Sequence, residues 1–350
     1  MSEIGPAPTL RTTVSRMFRV LIRARCPPPQ APPLSTPATL AGMASARVAV
    51  IGAGLSGVAC AQALRERGVA VEVFERGRAP GGRMASPTLH GRRVDMGAAY
   101  FTVKEPDFAA VVDGWVARGL ARPWTDTFDV VSPDGRDVTA GPVRFATPDG
   151  LRSLVRDLLP ADVRFESAVQ SLDELTHDAV VLAMPDPQAA RLLPQTCEWV
   201  EYEPVVAVAA GWNERNWTMT DAAFVNDDPD VSFVADDGSR RGDGAPVLVA
   251  HTTATRARAH LDRPDDAVAP VLAALRRLFG TAEEPSWTHA HRWTFAKPAG
   301  THGDAEFGLT TTGRPLGLCG DAWCPSGAPR VESAWLSGRR LGAALAASVL

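Results

Sequence analysis

The sequence predicts a two-domain α/β fold, with one domain built on a parallel sheet from segments far apart in the chain and the other on a mixed sheet between them. Three observations carry this. The 350 residues exceed one compact core at about 150 residues per domain. Arg47 to Phe74 reads as strand, glycine-rich turn, helix and second strand. Near the C-terminus, the apolar run Leu316 to Cys319 delivers Gly320-Asp321 ahead of one long helix, Arg330 to Leu350.

In the opening unit, Arg47 to Ile51 is a short apolar run that suits a buried parallel strand. Leu55, Val58, Ala59 and Leu64 are spaced for one buried helix face, closed by Gly68, and Val69 to Phe74 is a second buried strand with Glu75 at its end. Asp178 to Met184 reads as a returning strand, and Ala161 to Leu172 as two short ones. Between these lie alternating segments, Val205 to Trp212 and Val247 to Thr253, a helix from Asp265 to Phe279, and an acidic loop, Asp227 to Asp243, expected to be a solvated turn without calcium-site spacing. The expected division is 1–46 as a separate extension, 47–97, 146–185 and 304–350 as a discontinuous nucleotide domain, and 98–145 and 186–303 as a substrate domain.

Composition excludes several classes. Hydrophobic residues at 45% and charged residues at 22% suit an ordinary globular chain. Every apolar run is cut by Arg, Asp or Gly before it could span a membrane. The formal net charge is −4, and because residues 1–46 hold five Arg and one Glu, the rest carries −8 and no nucleic-acid footprint. Cys26, Cys60, Cys197, Cys319 and Cys324 lack C-x-x-C spacing, which suggests reduced thiols in a cytoplasmic protein. His289 and His291 share a strand face but have no third ligand at a recognisable spacing, so no metal site is expected. Residues 1–46, with their Arg and Pro-rich runs, read as a flexible tail or an upstream extension from a wrongly chosen start, Met43 being the initiator; a targeting segment is the third reading.

The chemistry begins at Gly52-Ala53-Gly54-Leu55-Ser56-Gly57. Gly52 allows the tight turn, Gly54 lets a pyrophosphate approach the backbone, and Gly57 lets helix and strand pack closely. The helix N-terminus offers free N–H groups to phosphate. Glu75 follows Gly52 by 23 positions, near the roughly 20 expected of a carboxylate that binds adenosine ribose hydroxyls. NAD and FAD would satisfy this motif equally. Pro80-Gly81-Gly82-Arg83-Met84 adds two glycines beside an arginine whose planar fork suits phosphate or a flavin's polar edge, and it resembles the second signature of glutathione-reductase-like flavoproteins in their amine-oxidase branch. In FAD proteins of this type an Asp placed like Asp321 holds the ribitol chain, and the helix after it points its N-terminus at the flavin.

Taken with Asp95 to Phe101, Pro148 to Leu151, His251-Thr252-Thr253, His291-Arg292-Trp293 and Arg330 to Gly338, these segments are similar to renalase-like FAD oxidoreductases of the flavin amine oxidase superfamily, from about residue 46 to the C-terminus. The resemblance implies a glutathione-reductase-like, p-hydroxybenzoate-hydroxylase-like two-domain fold and non-covalent FAD. It further implies oxidation of 2- and 6-dihydro isomers of NAD(P)H, with O2 taking the electrons to give hydrogen peroxide. Carried over by position, Gly52, Gly54, Gly57, Glu75, Arg83, Val169, Asp321 and Glu332 would contact FAD, with Arg76, Gly82, Met84, Gly320 and Val331 beside them. Ala98 to Tyr100 would lie by the isoalloxazine, with Ala99 standing where renalases often carry Gln. Hydride transfer to flavin N5 requires positioning and a dry pocket rather than a base; Tyr100, His251 and Trp293 are the candidate pocket walls. The alternatives are a flavin amine oxidase acting on a small amine, for which Lys297 would matter, and a non-catalytic FAD-binding redox sensor.

Overall fold

The computed structural model describes residues 46–160, 162–193 and 198–350. The N-terminal extension as far as Ser45, the candidate initiator Met43, Cys26 and Cys197 lie outside them.

The chain enters through β1 (Arg47–Ile51), α1 (Leu55–Arg65) and β2 (Ala70–Phe74). Val48, Val50, Val71 and Val73 are buried on one face against α1 and Ala49, Ile51 and Phe74 on the other, the double-sided burial that a parallel strand between layers requires. After a 3-10 turn at Gly82–Met84 come the small hairpin β3 (Thr88–Leu89) and β4 (Arg92–Arg93), α2 (Pro106–Ala117), and the long hairpin β5 (Arg122–Ser132) and β6 (Gly135–Ala146). Then follow α3 (Arg152–Asp157), β7 (Val163–Arg164), β8 (Ala179–Leu182) and α4 (Asp186–Ala189). The second half runs β9 (Tyr202–Gly211), β10 (Ala222–Val225), β11 (Val231–Asp236), α5 (Asp237–Arg241), β12 (Val247–Thr252), α6 (Ala254–Ala259), α7 (Val268–Phe279), β13 (Trp287–Pro298), β14 (Gly308–Thr310), β15 (Leu316–Leu318) and α8 (Val331–Val349).

Two sheets organise these elements, as the two-domain α/β prediction requires. One has the order β14-β15-β8-β1-β2-β7, parallel except for the edge strand β14. The other, β13-β9-β12-β11-β10-β5-β6, is mixed, since β10 runs parallel to β5 while its other pairings are antiparallel. α2 packs Phe108, Val112 and Trp115 against Leu55, Val58 and Trp335, so it belongs with the helices of the first sheet although β5 and β6 belong to the second. Among the described residues, no helix is long and apolar enough to cross a membrane.

α1 and α8 cross with their backbones in contact. A Cβ at Gly338 would stand 2.0 Å from the carbonyl oxygen of Ser56, and one at Gly342 2.6 Å from that of Cys60. The two glycines inside the last helix are thus packing requirements, and the crossing brings the start of α8 beside the glycine turn.

Three expectations need correction. Ala161 to Leu172 holds one short strand, β7, because the chain turns at Glu166 (φ +53°) and enters a 3-10 turn at Leu172–Glu174 capped by Ser171; Ala161 lies outside the described residues. The helix read from Asp265 starts at Val268, after a 3-10 turn at Pro264–Ala267, which leaves Pro270 in its first turn where proline is tolerated. Asp227 to Asp243 is no solvated turn. It contains β11 and α5, and Asp236, Asp237, Arg240 and Arg241 are all buried, because acidic and basic residues spaced three and four apart on one short helix neutralise each other.

Candidate flavin site

The three glycines of the first turn have three different surroundings. Gly52 has φ +111°, and a Cβ there would meet the Ala183 carbonyl oxygen at 2.4 Å. A Cβ at Gly57 would stand 2.0 Å from the Gly52 oxygen. At Gly54 a Cβ would meet nothing within 4 Å. Two glycines are therefore fixed by the chain itself, while the third leaves open space at an α1 N-terminus that no side chain caps. Glu75 lies against this turn, its Oε2 accepting from Ala53 N at 2.9 Å and its Oε1 from Gly77 N at 2.7 Å. Ser167 N donates to the Glu75 carbonyl at 2.9 Å, which brings the segment carrying half-buried Val169 to the same edge. Arg76 is exposed beside it.

Gly81 and Gly82, with φ +126° and +52°, fold the second signature over the first: Gly81 N donates to Ala53 O at 2.9 Å. Met84 points into the core. Arg83 does not stand open to an external phosphate. Its Nη1 and Nη2 reach the Asp321 carboxylate at 2.8 and 2.6 Å, and Nη1 also donates to Ala296 O at 3.1 Å. Burial opposes the charge on Arg83, but the Asp321 carboxylate outweighs it and raises the guanidinium pKa. Burial and Asp321 push the phenol of neighbouring Tyr202 well above its ordinary value. Gly320 N donates to Ser337 Oγ at 3.2 Å, which fixes the turn before Asp321 to α8. Val331 opens α8, and Glu332, buried, accepts from Lys104 N and Glu105 N at 2.7 and 2.8 Å, tethering α2 to α8.

A strap, Asp95 to Phe101, runs beside Arg83. A Cβ at Gly97 would fall 1.9 Å from the Arg83 carbonyl oxygen, and Ala98 N donates to that oxygen at 2.9 Å. Trp293 Nε1 donates to Met96 O at 2.8 Å. His251, half-buried on β12, is pulled down to about 3 by burial, reinforced by Lys297 and Arg240, while a hydrogen bond to the Met96 backbone works against the shift. It is neutral throughout the physiological range. Tyr100 packs edge-on against Phe128 with ring centres 5.2 Å apart, and Phe233 bridges it to His251 at 6.2 and 5.8 Å. The fold thus gathers all three candidate pocket walls around one strap. On β13 the pairing jumps from Trp293↔Val205 to Lys297↔Glu203, a bulge of two extra residues that turns the Ala296 carbonyl toward Arg83.

Sequence reasoning missed what holds the strap on its other side. Arg240, fully buried, donates from Nη1 to Ala99 O at 3.3 Å and from Nη2 to Asp95 O at 3.1 Å, while Asp237 accepts from Arg240 and Arg241. Burial opposes the charge of Asp237, but Arg240, Arg241 and Arg92 outweigh it and hold its carboxyl below the usual range. The signal was present in Asp236-Asp237-Gly238-Ser239-Arg240-Arg241, an N-cap Asp followed by opposite charges at helical spacing.

The flavin-containing amine oxidoreductase family matches residues 140–345, more than half of the chain, and a NAD(P)-binding Rossmann-like domain matches residues 50–115. The chain belongs to the flavin-containing amine oxidoreductases. Its cofactor is FAD, and the open cradle at Gly54, the uncapped α1 N-terminus and the glycines at 81 and 82 fit a bound dinucleotide.

Among curated relatives, protoporphyrinogen oxidase 2 of Arabidopsis thaliana is 43% identical over 67 residues, 19% of this chain and 13% of its own length. A phytoene desaturase (neurosporene-forming) of Cereibacter sphaeroides is 34% identical over 124 residues, 33% of this chain and 22% of its own. The chain thus spans less than a quarter of each. Likeness to solved structures extends over the fold: a putative protoporphyrinogen oxidase from Exiguobacterium superposes with TM-score 0.68 at 16% identity over 88% of this chain and 99% of that one. Cyclohexylamine oxidase from Brevibacterium oxydans gives 0.67 at 15% over 87% and 99%.

Proposed function

We propose that the protein is an FAD-dependent oxidase of renalase type, taking hydride from 2- or 6-dihydro isomers of NAD(P)H at FAD held non-covalently between the two sheets' elements. The first sheet with its helices is the FAD domain, and the second supplies the substrate pocket. Gly52, Gly54, Gly57 and the α1 N-terminus hold the pyrophosphate, Glu75 the adenosine ribose, Val169 the adenine edge, and Gly320-Asp321 with Arg83 the ribitol side; Arg76, Gly82, Met84, Val331 and Glu332 line or brace the cradle. FAD bound there would supply a hydride acceptor and, on reoxidation by O2 with uptake of a proton, release hydrogen peroxide.

The observation that carries the reading is the electrostatic character of the pocket wall. His251 is neutral, and of its two cationic neighbours Arg240 is paired with Asp237, while Lys297 has no ion-pair partner among the described residues. The nearby carboxylates are committed, Asp321 to Arg83 and Asp237 to Arg240 and Arg241. Such a wall disfavours an ammonium ion and favours a substrate bearing phosphates. A neutral wall also suits a hydride transfer in which the dihydropyridine nitrogen lone pair drives C–H cleavage and no side chain removes a proton. Tyr100, His251 and Trp293 orient the ring and exclude water.

Amine oxidation is the second reading, favoured by Lys297, close enough to His251 to affect its charge. Anaerobic stopped-flow mixing tests both. Rapid flavin bleaching by 2- or 6-dihydro-NAD(P), with slow or no bleaching by 4-dihydro-NADH, benzylamine or putrescine, is the expected result. Bleaching by an amine alone overturns it, and a flavin inert to the whole panel marks a redox sensor.

A further inference from the structure

Three arginines are buried among the described residues, and they differ in one respect. Arg240 and Arg241 share the carboxylates of Asp237 and Asp95. Arg144, 6% exposed, has no carboxylate within ion-pair distance and no side-chain hydrogen bond among the described residues, and its Nη1 is wholly buried without a partner there. A buried guanidinium nitrogen with nothing to accept from it is costly, and its retention calls for an explanation.

The setting suggests one. The Arg144 guanidinium carbon lies 3.8 Å from the centre of the Phe128 ring and 5.6 Å from that of Tyr100. Rings against the flat face of a guanidinium hold it in place and leave its N–H edge for an acceptor in the plane. The strand is shaped for this. Pairing jumps from Thr127↔Ala140 to Thr125↔Arg144, so β6 bulges at Gly141, Pro142 and Val143. A Cβ on Gly141 would stand 3.3 Å from Arg144 Nη2, so the bulge runs beside the guanidinium and a glycine leaves room for it. Inward, Tyr100 connects Arg144 through Phe233 to His251.

We propose that Arg144 is a specificity-determining residue that binds an oxyanion of the substrate, a carboxylate or a phosphate, presented beside Tyr100. The inference rests on the reading of Tyr100, His251 and Trp293 as the substrate pocket, and it assigns the substrate an anionic group on the Tyr100 side. The fork of Arg144 supplies two parallel N–H donors to that group, and the ligand supplies the counter-charge that the chain lacks.

The test uses the FAD-bound full chain and dead-end ligands read by the flavin spectrum. Benzoate, its neutral isostere benzamide and inorganic phosphate are titrated into the wild type, R144K and R144M, with melting temperatures recorded without ligand. Benzoate or phosphate binding the wild type at least about tenfold tighter than benzamide supports the proposal, and which of the two does so tells carboxylate from phosphate. R144K should keep part of that preference. R144M should abolish it, leave benzamide affinity unchanged and melt no lower than the wild type, because Met keeps the stem's apolar contacts and removes an unpaired charge. Equal binding of all three ligands by the wild type overturns the proposal whether or not R144M folds. An anion preference that survives in R144M also overturns it, as does a lower melting point of R144M without loss of preference, which marks Arg144 as structural. None of these ligands delivers hydride, so an amine oxidase with this subsite would still pass, and a dihydronicotinamide oxidase without it would still fail.

Discussion

The proposed flavin cradle and the proposed substrate pocket are built from different materials. The cradle is backbone: Gly52, Gly57 and Gly97 stand where a Cβ would strike a carbonyl oxygen at 2.4, 2.0 and 1.9 Å, and Gly54 stands where a Cβ would meet nothing. The pocket is side chain: Arg240 on α5, His251 on β12 and Trp293 on β13 converge on a strap they do not adjoin in sequence. A backbone-built site admits few residue types at each position, whereas a side-chain-built site can be reached from many places in a fold.

Substitutions at the two sites should therefore fail in different ways. The largest effect is expected at Gly57→Val, which must displace the Gly52 carbonyl and so the turn itself; the purified protein should come without flavin, seen in its visible-to-ultraviolet absorbance ratio. Gly54→Ala sharpens the contrast, because the apo chain should melt as the wild type does while FAD affinity falls about tenfold or more. If Gly54→Ala instead destabilises the apo chain, the division between fixed and open glycines is wrong.

Asp237→Asn should come next. It leaves Arg240 and Arg241 sharing Asp95 alone and Arg92 only the exposed Asp243, at a cost of about 3–5 kcal/mol in denaturant unfolding. The flavin should also become more fluorescent as the strap loosens. Unchanged stability would show that the network is spectator to the fold.

His251 gives a pH-dependent effect. Its folded pKa of about 3 lies below the unfolded value of 6.5, so below pH 6.5 the unfolded chain binds a proton that the folded chain refuses, and stability falls as pH drops toward 3. Between pH 6.5 and 5 the loss is about 2 kcal/mol, and His251→Asn should remove most of it from the pH profile of unfolding. A profile identical to the wild type would refute the neutral wall.

The smallest effect is expected at Lys297→Met, about twofold or less in the rate of flavin reduction by a dihydronicotinamide. A loss of about a hundredfold with an amine substrate would turn the pocket into that of an amine oxidase.

The same contrast explains what could be read from the sequence. Strand, turn, helix, strand and Glu75 were legible because each glycine answers a local backbone demand, and so were Gly320-Asp321 and the long helix after it. That Arg83 and Asp321 pair with each other was not, since either residue alone suits an external ligand. Asp237 and Arg240 were masked by average polarity: a segment rich in Asp, Arg and Gly resembles a surface turn until its charges are seen to cancel in three dimensions. Arg144 left no local trace, because what singles it out is the absence of a partner, a property of the fold rather than of its neighbours in sequence.

The crossing of α1 and α8 has a consequence for how the protein is made. Ser56 lies two residues after Gly54, and its carbonyl lies against Gly338, so the turn and the helix packed on it are translated at opposite ends of the described chain. FAD capture is therefore expected to wait on the docking of the last helix rather than on the folding of the first βαβ unit alone.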